Sequence, residues 1–187
     1  MGRSGSGKTT LLKVSAGFTR PDVGTVELYG VDLYALPDQE RVKTRRTLTG
    51  FMFQEDVLVE TMTVKENVEL PLIIEGYRKD AREKLVCKAL DDVGLLTQED
   101  RKPSEVSGGE RRRISLARAL VKSPRILLLD EPTSNLDTAT AATIIELLRS
   151  LNRRGTTIVL STHDYLAVKD FNNTVHLTDG HVSDLGA

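Results

Sequence analysis

The sequence holds a single cysteine, Cys87, and no tryptophan among its 187 residues. One thiol excludes an internal disulfide framework and fits a reducing compartment; Cys87 is read as a packing residue on a helix. Aromatic residues make up only 4% of the chain, so the stacking surfaces of single-strand nucleic-acid binders have little raw material. Neither sign of charge dominates: 26 basic and 27 acidic residues leave a net charge of -1, which removes a global bias toward nucleic acid or an anionic membrane. No run approaches the roughly 18 apolar residues of a membrane span, and Met1 opens onto Gly-Arg-Ser instead of a secretory signal. A membrane role is therefore expected to come through a partner. Repeats and low-complexity tracts are missing too, and the length suits one domain with a substantial core.

What is present is an alternation of two patterns. Near-continuous apolar runs at Phe51-Met52-Phe53, Ile126-Leu127-Leu128-Leu129 and Thr157-Ile158-Val159-Leu160 predict strands buried on both faces. Apolar residues spaced three or four apart predict helices at Ala81 to Val93, Arg111 to Val121 and Thr140 to Leu151. The alternation points to an α/β domain with a mostly parallel sheet. A helical, charge-rich stretch over 61–120 is expected to form a subdomain inserted between core segments 1–60 and 121–187. Pro37, Pro71, Pro103 and Pro124 are expected near element boundaries, where a missing N–H does least damage. Each apolar run leads to a polar residue: Gln54, the pair Asp130-Glu131, and His163 two positions beyond Ser161. Ligands of open α/β sheets bind outside the carboxyl ends of strands, so three strands aim chemistry at one edge.

Gly2-Arg3-Ser4-Gly5-Ser6-Gly7-Lys8-Thr9 has the spacing of a phosphate-binding loop, with Thr10, Leu11 and Leu12 opening the helix behind it. Glycines let the backbone wrap a phosphate, and the N–H groups at the helix start favour negative charge. Gly2, Ser4, Gly5, Ser6, Gly7, Lys8, Thr9 and Thr10 are thus the candidate nucleotide-binding residues, with Lys8 reaching phosphates and the Thr9 hydroxyl offered to Mg²⁺. Asp130 ends a buried strand where a carboxylate can hold the same ion, and Glu131 is placed to polarise water. Ser107-Gly108-Gly109-Glu110 precedes a helix and has capping-box spacing, while its glycines leave the helix start open to an outside phosphate. Asp137 reads as an N-cap. Gln54 and His163 are ambiguous when taken singly.

In order, the phosphate loop, Gln54, Val106-Ser-Gly-Gly-Glu-Arg111, Ile126-Leu-Leu-Leu-Asp-Glu131, Ser134-Asn-Leu-Asp137 and Thr162-His163-Asp164 resemble the motif set of ABC ATPases over essentially the whole chain. The resemblance implies a P-loop NTPase fold and a head-to-tail dimer. ATP held by Gly7, Lys8 and Thr9 would be covered by Ser107, Gly108 and Gly109 of the opposite subunit. It further implies that Thr9, Gln54 and Asp130 place Mg²⁺, that Glu131 is the general base, that His163 contacts the γ-phosphate, and that Asp137 links the two sites. Transmembrane permease subunits would be the partners, with this chain on the inner face of the cell membrane and no nucleic acid involved. Phe53-Gln54, Leu58, Met62-Thr63-Val64 and Glu66 to Leu72 look like the branch serving lipoprotein release and macrolide efflux. Val106 and Glu110 replace a usual leucine and glutamine; either acid or amide at 110 fits a capping box.

A phosphate loop is expected to follow a strand, and none precedes Gly2 here; a family segment carrying an adenine-stacking aromatic is also missing. Met1 stands where related chains often have an internal methionine. If the chain starts there, unpaired strand edges predict weak folding, weak ATP binding, or both. Two other readings compete with the transport ATPase: a soluble ABC ATPase of DNA repair or translation, and a truncated remnant or regulatory subunit that does not hydrolyse ATP.

Overall fold

The computed structural model describes residues 1–3, 5–163, 171 and 173–186. Three strands form a parallel sheet in the order β3 (Thr49–Met52), β4 (Ile126–Asp130), β5 (Thr157–Ser161). Helix α1 (Lys8–Ser15) covers one face of β4, its Leu12 and Ala16 packing on Ile126 and Leu128. The other face meets the main core through Leu127 and Leu129. All five β4 residues are buried, which is why this strand reads as an uninterrupted apolar run.

Helices α3 (Val64–Ile74), α4 (Lys79–Asp92) and α5 (Gly108–Leu120) fill the stretch expected to be helical. Val64, Val68, Leu72, Val86, Leu90 and Ile114 are fully buried there. They belong to the same cluster as Leu127, Leu129, Ile144 and Leu148, so these helices and the sheet share one core. Helix α6 (Thr138–Arg153) closes that core from the C-terminal side of β4. Gly50 on β3 lets α5 approach: a Cβ there would lie 2.2 Å from the Ala119 carbonyl and 2.9 Å from Pro124. The link from β3 to α3 is pinned by Asn67, fully buried, whose amide donates to the carbonyls of Val59, Met62 and Thr63 and accepts from the Val59 N–H.

Two expectations need correction. Strand β5 is not buried on both faces: Thr157 and Val159 are exposed. Its outer edge looks onto a groove of about 370 Å³ lined by Leu11, Leu12, Val159, Phe171 and Val175, so nothing among the described residues covers Val159. Beyond that groove lies a hairpin of β6 (Thr174–Thr178) and β7 (His181–Gly186), to which the Met1 carbonyl is tied by the Leu177 N–H at 2.8 Å. Pro71 lies inside α3 and not at a boundary. It costs the helix the bond that an N–H at 71 would give to the Asn67 carbonyl, while its own carbonyl accepts from Glu75 at 3.2 Å and the flanking Val68 and Leu72 are buried in the core. Pro37 caps α2 (Asp38–Leu48), and Pro103 opens a short 3-10 turn, both as expected of a residue without an N–H.

Sequence patterns did not announce α2, the β6–β7 hairpin, or the small ribbon of β1 (Glu27–Leu28) and β2 (Val31–Asp32). Helix α2 buries no residue, so it carries no apolar stripe to find. Among the described residues no helix is long and apolar enough to cross a membrane.

Candidate active site

The loop before α1 turns on Gly5 and Gly7; Gly7, at φ 97°, is the helix N-cap and brings no side chain to it. The first N–H groups of α1 are therefore left for a ligand, and the helix end favours an anion there. Lys8 folds back over the loop and donates to the carbonyls of Gly2 (2.7 Å) and Arg3 (2.9 Å), which ties its ammonium to the loop. Behind the loop, the Ser6 carbonyl accepts from the Gly180 N–H of the β6–β7 turn at 3.2 Å.

Strand β4 delivers two acids in succession. Asp130, 1% exposed, accepts from the Thr9 hydroxyl at 2.6 Å and from the Ser161 hydroxyl at the end of β5. Both carboxylate oxygens are thus satisfied, as a buried charge requires. Glu131 takes up a left-handed conformation at φ 53°, and its N–H donates to the Ser161 carbonyl at 3.1 Å. That turn swings its carboxylate out of the sheet toward His163, whose Nδ1 lies 3.1 Å from one carboxylate oxygen and 3.0 Å from the other.

These residues share one cleft of about 560 Å³, lined by Gly5, Gly7, Lys8, Thr9 and Thr10 from the loop side and by Gln54, Asp130, Glu131 and His163 from the strand ends. The three strand exits singled out in the sequence therefore converge. The donor set suits Mg²⁺, a hard ion that takes oxygen ligands: the Thr9 hydroxyl spends its proton on Asp130 and so presents lone pairs, and Gln54 adds an amide.

Gly2, Ser6, Ser107, Gly108, Gly109 and Asp137 do not line this cleft. Ser107 caps α5: its hydroxyl accepts from the Glu110 N–H at 3.2 Å, and Glu110 accepts from the Ser107 N–H at 2.8 Å. That backbone bond, helped by the hydroxyl, holds the Glu110 carboxyl below its ordinary pKa. Asp137 caps α6 through Thr140 at 2.9 Å, and its own pKa is lowered chiefly by the Thr140 hydroxyl. Ser4 and Asp164 lie outside the described residues.

Sequence reasoning named Ser134 only as part of a motif and missed Ser161 and Arg112, which bond to Asp130 and to the Glu131 carbonyl. Arg112 could have been found: it lies three and four residues before Ser115 and Leu116, on the buried side of α5. A charge at that spacing has to find partners inside the fold.

A sequence profile of the ABC transporter family matches residues 1–134. The chain is 40% identical over 182 residues to an ABC transporter ATP-binding protein, YknY, of Bacillus subtilis, covering 97% of this chain and 79% of that one. It is 42% identical to the cell division ATP-binding protein FtsE of Escherichia coli (97% and 82% covered) and 39% identical to the macrolide export ATP-binding/permease protein MacB of Chlorobaculum tepidum, of which it spans 28%. The dimeric ATP-binding cassette MJ0796, solved in a post-hydrolysis state with ADP and Pi, superposes with a TM-score of 0.95 at 37% identity over all of this chain and 82% of that one. Cleft, motif order and relatives agree, and the chain belongs to the ABC transporter family as an ATP-binding cassette.

Proposed function

We propose that this chain binds Mg-ATP in the loop-to-strand cleft and hydrolyses it to drive a transport complex. One observation carries this reading: Lys8, Thr9, Gln54, Asp130, Glu131 and His163, drawn from four separated stretches of sequence, line the same cavity. The α1 N-terminus and Lys8 hold the phosphates, and Thr9, Asp130 and Gln54 hold Mg²⁺. Held there, the ion would neutralise negative charge on the phosphates. Glu131 orients and deprotonates the attacking water, and His163, in contact with that carboxylate, steadies it and reaches the terminal phosphate.

The cleft is one half of the working site. Ser107 and Gly108 are exposed, and Gly108 has open space where a Cβ would go, so a second subunit can set them against the nucleotide held here. Closure of the two halves completes the constellation. Beside the Gln54 exit, a groove of about 300 Å³ is lined by Phe18, Phe51, Phe53 and Ile74 and by Arg45, Arg118 and the Arg46–Glu75–Lys122 cluster. Burial lowers the pKa of Arg118 and of Lys122 there; Lys122 already has Glu75 beside it at 3.7 Å, and a partner's carboxylate would favour the Arg118 charge. A permease segment with an apolar face and an acidic residue would suit that groove, in keeping with a position for this chain on the inner face of the membrane.

Glu131→Gln tests the chemistry. Turnover is expected to fall by about 10² to 10⁴-fold while Mg-ATP binding persists, because the amide keeps the shape but cannot take a proton. An unchanged rate would remove Glu131 as base. A folded wild-type chain without turnover would favour the non-hydrolysing reading.

A further inference from the structure

We propose that Arg112 is a positioning residue that fastens the Glu131 turn and the Gln54 strand exit to the helix bearing Ser107, so that all three move as one body. The proposal rests on the ATPase reading of the cleft, although its structural half is testable without it.

The Arg112 side chain is 1% exposed and lies on α5, four residues past the glycine that opens that helix. Its Nη1 donates to the carbonyls of Phe53 (2.9 Å) and Gln54 (2.8 Å) and to the Asp56 carboxylate (3.1 Å). Its Nη2 donates to the carbonyls of Asp130 and Glu131, the latter at 2.6 Å, and its Nε reaches Glu131 again at 3.2 Å. A buried cation is costly unless every donor is met, and here each nitrogen of the fork finds an oxygen. The choice of oxygens is what matters. Four are main-chain carbonyls where β3 and β4 leave the sheet, at the residues that supply Gln54, Asp130 and Glu131 to the cleft.

Packing alone would not select this residue, since methionine or leucine would fill similar volume without desolvating a charge. A planar fork with five donors can span two strand exits at once; an ammonium is a point with three donors, and a glutamine amide has two. The Glu131 carbonyl also accepts from the Ser134 hydroxyl (2.9 Å) and N–H (3.1 Å). The left-handed turn that aims the catalytic carboxylate is therefore clamped from both sides.

The test uses the full chain with Arg112→Lys, Arg112→Gln and, as a same-helix control, Arg113→Gln; Arg113 donates to the Val93 carbonyl, away from the cleft. Backbone hydrogen exchange without nucleotide and steady-state Mg-ATP turnover are measured on each. In both Arg112 variants, exchange at the Glu131 and Ser134 amides is expected to quicken by about tenfold, with α3 and α4 amides unchanged. Turnover is expected to fall by roughly 10- to 100-fold, with KM within about threefold, because misplacing a reacting group by an ångström costs rate more than binding. Arg113→Gln should move neither reading. Wild-type exchange at 131 and 134 in Arg112→Gln would overturn the proposal. So would an exchange change spread evenly over the core, or a failure of both Arg112 variants to fold, since either marks a merely structural arginine. If the wild-type chain itself does not turn over ATP, the ATPase reading falls and the exchange data still decide the clamp.

Discussion

Helices α1 and α5 both start at glycine-rich turns, yet their ends are arranged oppositely. At α1, Gly7 contributes no capping side chain, and the bare N–H groups face a cleft already furnished with Lys8, Thr9, Asp130 and Glu131. At α5, the Ser107 and Glu110 pair satisfies two donors within the helix itself, and the exposed tip faces no cleft residue of its own chain. The first end turns its donors toward the cleft and has no capping side chain of its own to satisfy them. The second is finished as a helix and is free to be presented elsewhere. A phosphate-type helix start that is stable alone and solvent-exposed is what a site shared between two subunits requires.

Substitutions can break the comparison from either side. The largest effect is expected from Lys8→Ala, which should weaken Mg-ATP binding by about 30-fold or more in an equilibrium titration, the loss of a charge partner for phosphate. Retained affinity would put the nucleotide somewhere else. Next comes Gly108→Ala. A Cβ there meets nothing within 4 Å, so the melting temperature should hold or rise, by up to about 1 kcal/mol in stability, as alanine replaces glycine in a helix. Turnover should nonetheless fall by about tenfold if a partner's nucleotide must approach that spot; unimpaired turnover would make the glycine incidental.

Ser107→Ala should cost about 1 kcal/mol in denaturant unfolding, the ordinary worth of an N-cap, whereas no comparable cap exists to remove from α1. The smallest effect is a pH dependence. The folded-state pKa of Glu110 lies below its unfolded value, so its contribution to the cap is fully present above the unfolded pKa and fades as pH falls through the folded one. The stability gap between wild type and Glu110→Gln, measured in acid and at neutral pH, should shrink toward zero below the usual carboxylate range.

Much of this arrangement was legible in the sequence because buried strands announce themselves when polar residues interrupt them. Ile126 to Leu129 followed by Asp130 and Glu131 fixed both a strand and the place of its chemistry. Thr157 to Leu160 looked the same, yet an apolar run says nothing about which face is covered, and Val159 lies beside an open groove. Pro71 misled because proline ordinarily marks a boundary, whereas here the burial of Val68 and Leu72 carries α3 through it. Arg111-Arg112-Arg113 hid its middle member in plain view: a run of like charges suggests a solvated face, and only helical spacing distinguishes the arginine that points inward. The convergence of Gln54, Asp130, Glu131 and His163 followed from strand exits sharing an edge, whereas the contact between Thr9 and Asp130 needed coordinates.

The backbone at Glu131 sets a conflict between durability and use. A left-handed conformation is unfavourable by about 1 to 2 kcal/mol for a residue with a side chain, and glycine or asparagine would adopt it more readily. Selection for thermal robustness alone would drift away from glutamate at this position. Directed evolution toward a hardier protein should therefore be screened for turnover at every round, because its easiest gains lie at the acid proposed to activate water.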